Sequence, residues 1–294
     1  MNFYGIRQRK NADIQMRVSL LKHACEARKI NYVDLDSEAI DYSAIPQPQR
    51  HDFLYNIGRG SQVLESLMLN KEVTTFYKSF PKVNSNLANT TTLWTLIHEK
   101  ENLPSPKTIH SLSRDRSLLD NYVEYLGGFP VIIKAIGGTR GVGVIKVESA
   151  ASLYSIADHL VSLGGNYILR QFIESAATAR LVVLGNQVVA SVEYIIPNGD
   201  FRSNIAGIPN AKPIKLSAGV EETAIKAVDA IDVECGGVDL ILDKEGNHYL
   251  LEVNYPFSFL TPQFITGTDI AGMMVDYLIE KQRGADEIHL RGRH

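Results

Sequence analysis

Two acidic residues flanking a turn, Asp239 and Glu252, with Asn254 two places further on, are the side chains here best suited to a hard cation. They sit in GGVDLILDKEGNHYLLEVN, where Val238, Leu240 and Leu242 alternate with other positions, as do Tyr249, Leu251 and Val253. That period of two predicts a hairpin with those six residues inward and Asp239, Glu252 and Asn254 on the other face. With Asp243 and His248 closing the turn, Asp239 stands directly opposite Glu252. Adjacent carboxylates repel unless a cation lies between them. An all-oxygen donor set suits Mg2+, with Mn2+ as a substitute. An ordinary acidic sheet surface would carry the same residues, so the hairpin alone leaves both readings open.

A second constellation lies about a hundred residues upstream, in PVIIKAIGGTRGVGV. Lys134 ends an apolar strand, and Gly137, Gly138, Gly141 and Gly143 surround Thr139-Arg140. Glycines let backbone N–H groups approach a phosphate closely, and a lysine adds a point charge. The loop fits neither the Walker pattern nor the dinucleotide fingerprint, and a tight hairpin with a solvated lysine explains it equally. Arg7, Arg9 and Lys10 follow the first strand, and Arg59 lies in the turn Gly58-Arg59-Gly60-Ser61. Strand C-terminal ends in a doubly wound sheet face the ligand crevice, so these cations are candidates for substrate carboxylates, or are solvated loop residues. Tyr255, Phe257 and Phe259 either shape an apolar acceptor pocket or pack their loop against the last helix.

The elements that must position these groups are α/β in order. Strands are expected at 3–6, 30–35 and 52–57, with helices at 13–29 and from Ser61 to about Asn70, a small doubly wound unit. A helix over 87–100 ends before Leu103-Pro104-Ser105-Pro106. Strands at 130–134 and 142–147 flank the glycine loop; a helix (151–163) and the strand Tyr167–Phe172 follow. A hairpin turning at Gly185-Asn186, a helix at 217–231, the acidic hairpin and a helix at 269–283 complete the chain, with 284–294 read as a loose polar tail.

Composition narrows the function. The 294 residues are 45% hydrophobic and 21% charged, enough for two or three subdomains. A net charge of −3 and pI near 6.3 argue against a general nucleic-acid or anionic-membrane binder. No apolar run approaches the ~20 residues that span a bilayer, and the start lacks a signal-peptide core. Two isolated cysteines fit a reduced cytoplasm, and the eight histidines form no ligand-spaced pair.

Taken in order, PVIIKAIGGTRGVGV, YILRQFIE, ARLVVLGNQVVAS, DFRSN, GVDLIL, LEVN and TGTDIAG resemble the RimK-like ATP-grasp ligases, over about 87–283 and more weakly before that. The resemblance implies an ATP-grasp fold with an N-terminal doubly wound pre-ATP-grasp subdomain (1–85), a central subdomain with the glycine loop (86–172) and a C-terminal subdomain with the metal site (173–294). It implies an ATP-dependent carboxylate–amine ligase that forms an acyl phosphate and releases ADP and phosphate. Lys134 would contact the phosphates beneath a closing loop (Gly137, Gly138, Thr139, Arg140, Gly141, Gly143). Gln171, Phe172 and Ile173 would hold adenine, with Glu174 at the ribose. Arg180, Arg202 and Asn204 would stand at the reaction centre, where preorganised charge such as Arg202 can contribute about 3 kcal/mol. Asp239, Glu252 and Asn254 would bind Mg2+, and Arg7, Arg59 and Tyr255 are the substrate-side candidates.

The expected partners are a small-molecule or peptide carboxylate and amine, or a carrier protein or peptide as acceptor, with no membrane or nucleic acid, in a homo-oligomer. A non-catalytic nucleotide-binding regulator is the reading from another class. The chain departs from the family at Thr90-Thr91-Thr92, where a basic residue is usual, at Thr178 in place of an aspartate, at 205–209 and at 255–260. The last two departures fall on the acceptor side.

Overall fold

The computed structural model describes residues 1–8, 11–58, 61–80, 91–136, 141–202 and 210–291. Three sheets organise the described residues. The first is parallel, in order β2 (Asn31–Asp36), β1 (Asn2–Arg7), β3 (Phe53–Asn56), with α1 (Ala12–Ala27) as the crossover between β1 and β2. It is buried on both faces, as parallel sheets are. Phe3, Phe53 and Tyr55 join Leu21 and Cys25 on one side, while Tyr4, Ile6 and Leu54 meet Leu64 and Met68 of α2 (Gln62–Met68) on the other. After α3 (Thr91–Lys100) comes a second, antiparallel sheet: β4 (Thr108–Ile109), β7 (Tyr167–Gln171), β5 (Val131–Ala135), β6 (Val144–Val147).

One face of this sheet is apolar. Val131, Ile133, Val147 and Leu169 pack with Leu119, Val123 and Leu126 of α4 (Arg116–Leu126) and Leu153 and Ala157 of α5 (Ala150–Ser162). Ile132, Lys134 and Arg170 occupy the alternate positions and line a cleft. The helix α4 was not among the expected elements, yet its signals are local: Asp115 caps Leu118 N–H at 3.0 Å, apolar residues recur at 119, 123 and 126, and Gly127 ends it at φ 95°.

The third sheet runs β10 (Ala211–Pro213), β9 (Gln187–Tyr194), β8 (Ala177–Leu184), β11 (Cys235–Leu242), β12 (His248–Asn254). The helices α6 (Ala218–Asp229), α7 (Leu260–Thr266) and α8 (Ile270–Arg291) complete it. Its core is continuous with that under the first sheet, through contacts such as Tyr55 against Tyr255 and Phe76 against Tyr277. α8 runs on to Arg291 where a loose tail was expected; residues 284–291 contain no proline, and Ala, Glu, Leu and Arg favour helix. No helix among the described residues is long and apolar enough to cross a membrane.

The acidic hairpin forms by a different route from the expected one. Leu242 and His248 close the turn, one position off, and Ile241 and Leu240 pair with Tyr249 and Leu250. A β-bulge then leaves Leu251 unpaired and brings Asp239 opposite Glu252. The shifted register also reverses side chains on the turn side of the bulge: Leu250 is buried in the core, Leu251, expected to face inward, lines the cleft, and Tyr249, also expected inward, pairs with the cleft-lining Ile241. Leu250→Ala is therefore expected to cost about 2–4 kcal/mol in urea denaturation and Leu251→Ala under about 1 kcal/mol, since only the first leaves a core cavity.

Candidate nucleotide and metal site

A cleft of about 710 Å³ separates the second and third sheets. From the second sheet it receives Lys134 and Arg170, and from the third Thr178, Arg180, Tyr194, Asp239 and Glu252. The segment between β7 and β8, including Phe172, Ile173, Glu174 and Ser175, forms part of its wall, as do Arg17 and Gly58 from the first unit. Gly143 stands at φ 80°, and a Cβ there would lie 2.8 Å from Ala135 Cβ, so the approach of the loop to β5 requires glycine.

The floor of the cleft is a charge-balanced quartet. Asp239 receives two hydrogen bonds from Arg180, 2.7 Å from Nε and 2.6 Å from Nη2. Arg180 is its register partner on β8, so this pair is set within one sheet. Glu252 is met from the other sheet by Lys134 Nζ at 2.7 Å. Asn254 Nδ2 bridges the two acids, at 3.2 Å from Asp239 and 3.3 Å from Glu252. Burial pushes the Glu252 carboxyl up, but Lys134, Asn254 and Arg180 together outweigh it and hold the group at about 2. Burial also raises Asp239, against the opposing pull of Arg180.

Among the described residues no cluster of three or more His, Cys, Asp or Glu is placed to hold a metal. A cation in this cleft would thus rest on two carboxylates and an amide oxygen. That hard, incomplete donor set fits an ion that retains water and phosphate ligands. Ser175 and Thr178 belong to the residues that line the cleft, and among the described residues Ser175 Oγ and Thr178 Oγ1 are buried with no hydrogen-bond partner.

Other expected site residues fall in varied places. Arg202 lines the cleft, bound by Asp200 through Nε (3.0 Å) and Nη2 (2.8 Å), and Nη1 donates to the Gly141 carbonyl at 3.2 Å. Hydrogen bonds from Arg202, side chain first and backbone next, hold the Asp200 carboxyl well below the usual range. Phe201 meets Phe172 edge-on at 6.5 Å, and the Lys146 ammonium lies 4.8 Å from the Phe172 ring centre. Gln171 is tied to Lys107, its N–H to the Lys107 carbonyl at 2.9 Å. Glu174 pairs with Lys244 at 2.8 Å on the surface.

Two substrate-side expectations are corrected. Arg7 does not line the cleft: the parallel register of β1 and β2 sets it opposite Asp36, and both Asp34 and Asp36 bind its guanidinium. Tyr255 is a core residue, 5% exposed between Tyr55 and Tyr77, and Phe259 is wholly buried; only Phe257 of the three touches the cleft. Arg9, Lys10, Arg59, Gly137, Gly138, Thr139, Arg140 and Asn204 lie outside the described residues. Conversely, Arg17, Arg170 and Asp200 line the cleft without having been expected there. A charged residue inside the apolar strand YILRQF was the available signal for Arg170, and the two-residue spacing of Asp200 and Arg202 that for Asp200.

Residues 91–278, well over half the chain, match the model of the RimK-like ATP-grasp domain. The chain belongs to the RimK-like ATP-grasp family. Among curated proteins, a probable alpha-L-glutamate ligase of Methanococcoides burtonii is 31% identical over 177 residues, 60% of this chain and 58% of the relative. Another, of Halorhodospira halophila, is 31% identical over 196 residues, 66% and 64% of the two chains. The aligned part spans less than two thirds of either relative. The ATP-grasp ligase PsnB, solved with a minimal precursor, Mg and ADP, has a TM-score of 0.71 at 15% identity over 95% of this chain and 97% of that one. D-alanine–D-alanine ligase from Bacillus anthracis gives 0.67 at 16% identity over 98% and 99%. These likenesses are of fold, and the architecture of this RimK-like chain is that of ATP-grasp proteins.

The quartet predicts a pH dependence. The Glu252 carboxyl sits at about 2 in the fold against an ordinary 4.5. A depressed acid stabilises the folded state fully above its unfolded value and loses that contribution as pH falls toward its folded value. In EDTA, the stability difference between wild type and Glu252→Gln should be flat above about pH 5.5 and shrink steadily below that. Urea denaturation across a pH series measures it; a difference that grows on acidification would contradict the assignment.

Proposed function

We propose that this chain is an ATP-dependent carboxylate–amine ligase acting on amino-acid or peptide substrates through an acyl phosphate. The single observation that carries the proposal is the opposed pair Asp239 and Glu252, balanced by Arg180 from one sheet and Lys134 from the other. In this reading 1–85, 86–172 and 173–294 act as three subdomains, with ATP between the last two. The backbone of Gln171, Phe172 and Ile173 receives adenine, near the buried hydroxyls of Ser175 and Thr178. Lys134 places its charge at the phosphates, and the loop through Gly141 and Gly143 covers them.

Asp239, Glu252 and the Asn254 amide would hold Mg2+, which supplies charge neutralisation on the phosphoryl oxygens. Arg180 keeps Asp239 aimed into the cleft. The substrate carboxylate attacks the γ-phosphorus as the bond to ADP breaks; the amine then attacks the acyl carbon, inorganic phosphate leaves, and the nitrogen loses a proton. Negative charge gathers on the acyl oxygen in that second step. Arg202, with Asn204 beside it in sequence, is the donor assigned to that oxygen. Its contact with the Gly141 carbonyl couples this group to closure of the glycine loop, which excludes water from a hydrolysable intermediate.

Incubation with ATP, Mg2+, hydroxylamine and a panel of amino acids and peptides should release ADP and phosphate and yield a hydroxamate. AMP and pyrophosphate as the products would contradict the mechanism. Arg202→Ala should lower kcat about 100-fold or more while the KM for ATP moves less than about threefold.

A further inference from the structure

We propose that Arg170 is a positioning residue that fixes the bulge in β12 and so holds Glu252 opposite Asp239; for its bearing on metal the proposal rests on the reading above. Arg170 is 5% exposed. Its Nε donates to Thr108 Oγ1 at 3.0 Å, Nη1 to the Leu251 carbonyl at 3.2 Å and Nη2 to Thr95 Oγ1 at 3.4 Å. Among the described residues no carboxylate stands within ion-pair distance of it. A guanidinium removed from water and met only by hydroxyls and a carbonyl is a costly arrangement. Burial lowers its pKa, partly offset by the more distant charges of Glu252 and Glu99. A leucine-like side chain would fill this strand position without that cost but could not offer the fork of donors that ties Thr108, Thr95 and the Leu251 carbonyl together.

What that tie holds is visible in the hairpin. From the turn, Leu242 pairs with His248, Ile241 with Tyr249 and Leu240 with Leu250. Continued without a bulge, that register would set Asp239 against Leu251 and Val238 against Glu252. A one-residue slip turns side chains to the opposite face, so Glu252 would leave the cleft and point with Val238 toward the core. The bulge prevents this, and on this edge strand the outward backbone groups beside and within it are taken up from outside the hairpin. Leu250 N–H donates to the Pro104 carbonyl at 2.7 Å, and the Leu251 carbonyl accepts from Arg170. Arg170 immediately precedes Gln171, so the strand that leads into the cleft wall also pins the strand that carries Glu252.

Wild type, Arg170→Met, Arg170→Lys, Thr108→Val and Glu252→Gln would be compared by Mn2+ titration with ADP, followed by electron paramagnetic resonance. Metal-free ADP binding in EDTA, thermal melting and hydrogen exchange of residues 248–254 complete the set. Arg170→Met should weaken Mn2+ binding roughly 10- to 100-fold, Arg170→Lys and Thr108→Val by smaller factors, each loss exceeding any loss of metal-free ADP binding. Exchange in 248–254 should accelerate on the order of tenfold relative to 177–184. Lower thermal stability with unchanged Mn2+ affinity and unchanged relative exchange would reduce Arg170 to a packing residue and overturn the proposal. Loss confined to metal-free ADP binding would make it a direct phosphate contact, and overturn it as well. Should Arg170→Met fail to fold, Arg170→Lys and Thr108→Val carry the same two readouts. Equal Mn2+ affinity in wild type and Glu252→Gln would instead defeat the metal-site reading, leaving hydrogen exchange to judge the bulge.

Discussion

Two largely buried carboxylates held side by side on the floor of a cleft are the constraint around which this molecule is arranged. Asp239 and Glu252 face each other across one hairpin, and neither is tolerable there without a cation beside it. The two cations come from different places. Arg180 is the register neighbour of Asp239 within the third sheet, so that pair forms as soon as β8 and β11 zip. Lys134 reaches Glu252 from the second sheet, so that pair exists only when the two sheets are correctly opposed. Opposite charges at about 4 Å attract by about 4 kcal/mol at an effective dielectric near 20, much of which desolvation consumes. The second pair therefore contributes registration between the sheets more than net stability.

Apolar burial is distributed to leave that arrangement adjustable. The first and third sheets share one core, in which Phe3, Phe53, Tyr55 and Phe76 pack with Tyr255, Phe257 and Leu278. The second sheet keeps a core of its own under α4 and α5. Polar contacts across the cleft include Lys134–Glu252 and Arg202–Gly141. Such bonds exchange readily for bonds to a charged ligand, whereas a shared apolar core does not. A cleft lined in this way can open for a nucleotide without dismantling either core.

Much of this was legible in the residues because the signals were local. Alternation in VDLIL and YLLEV predicted the hairpin, while the opposition of its acids arises through the bulge and not through the expected turn at Asp243 and His248; Lys134 at the end of an apolar strand was a candidate cation for the site. What escaped the sequence depends on distant groups. The bulge at Leu251 is held by Pro104 and Arg170, far away in the chain. Arg7 looked free at a strand end, but the β1–β2 register supplies Asp36 directly opposite, and Asp34 joins it. Tyr255 was a pocket candidate until Tyr55 and Tyr77 enclosed it. By contrast the signals of α4, an N-cap, an apolar stripe and a terminal glycine, all lie within residues 115–127 and depend on no distant group.

The role of the Asp239–Glu252 pair depends on where nucleotide and divalent cation bind. A crystal structure grown with ADP and Mn2+, with anomalous data collected for manganese, addresses this most directly. The expected result is an anomalous peak bridging the carboxylates of Asp239 and Glu252, with the diphosphate beside Lys134 and adenine against the backbone of Gln171–Ile173. Manganese elsewhere, or ADP outside the cleft between the second and third sheets, would contradict it.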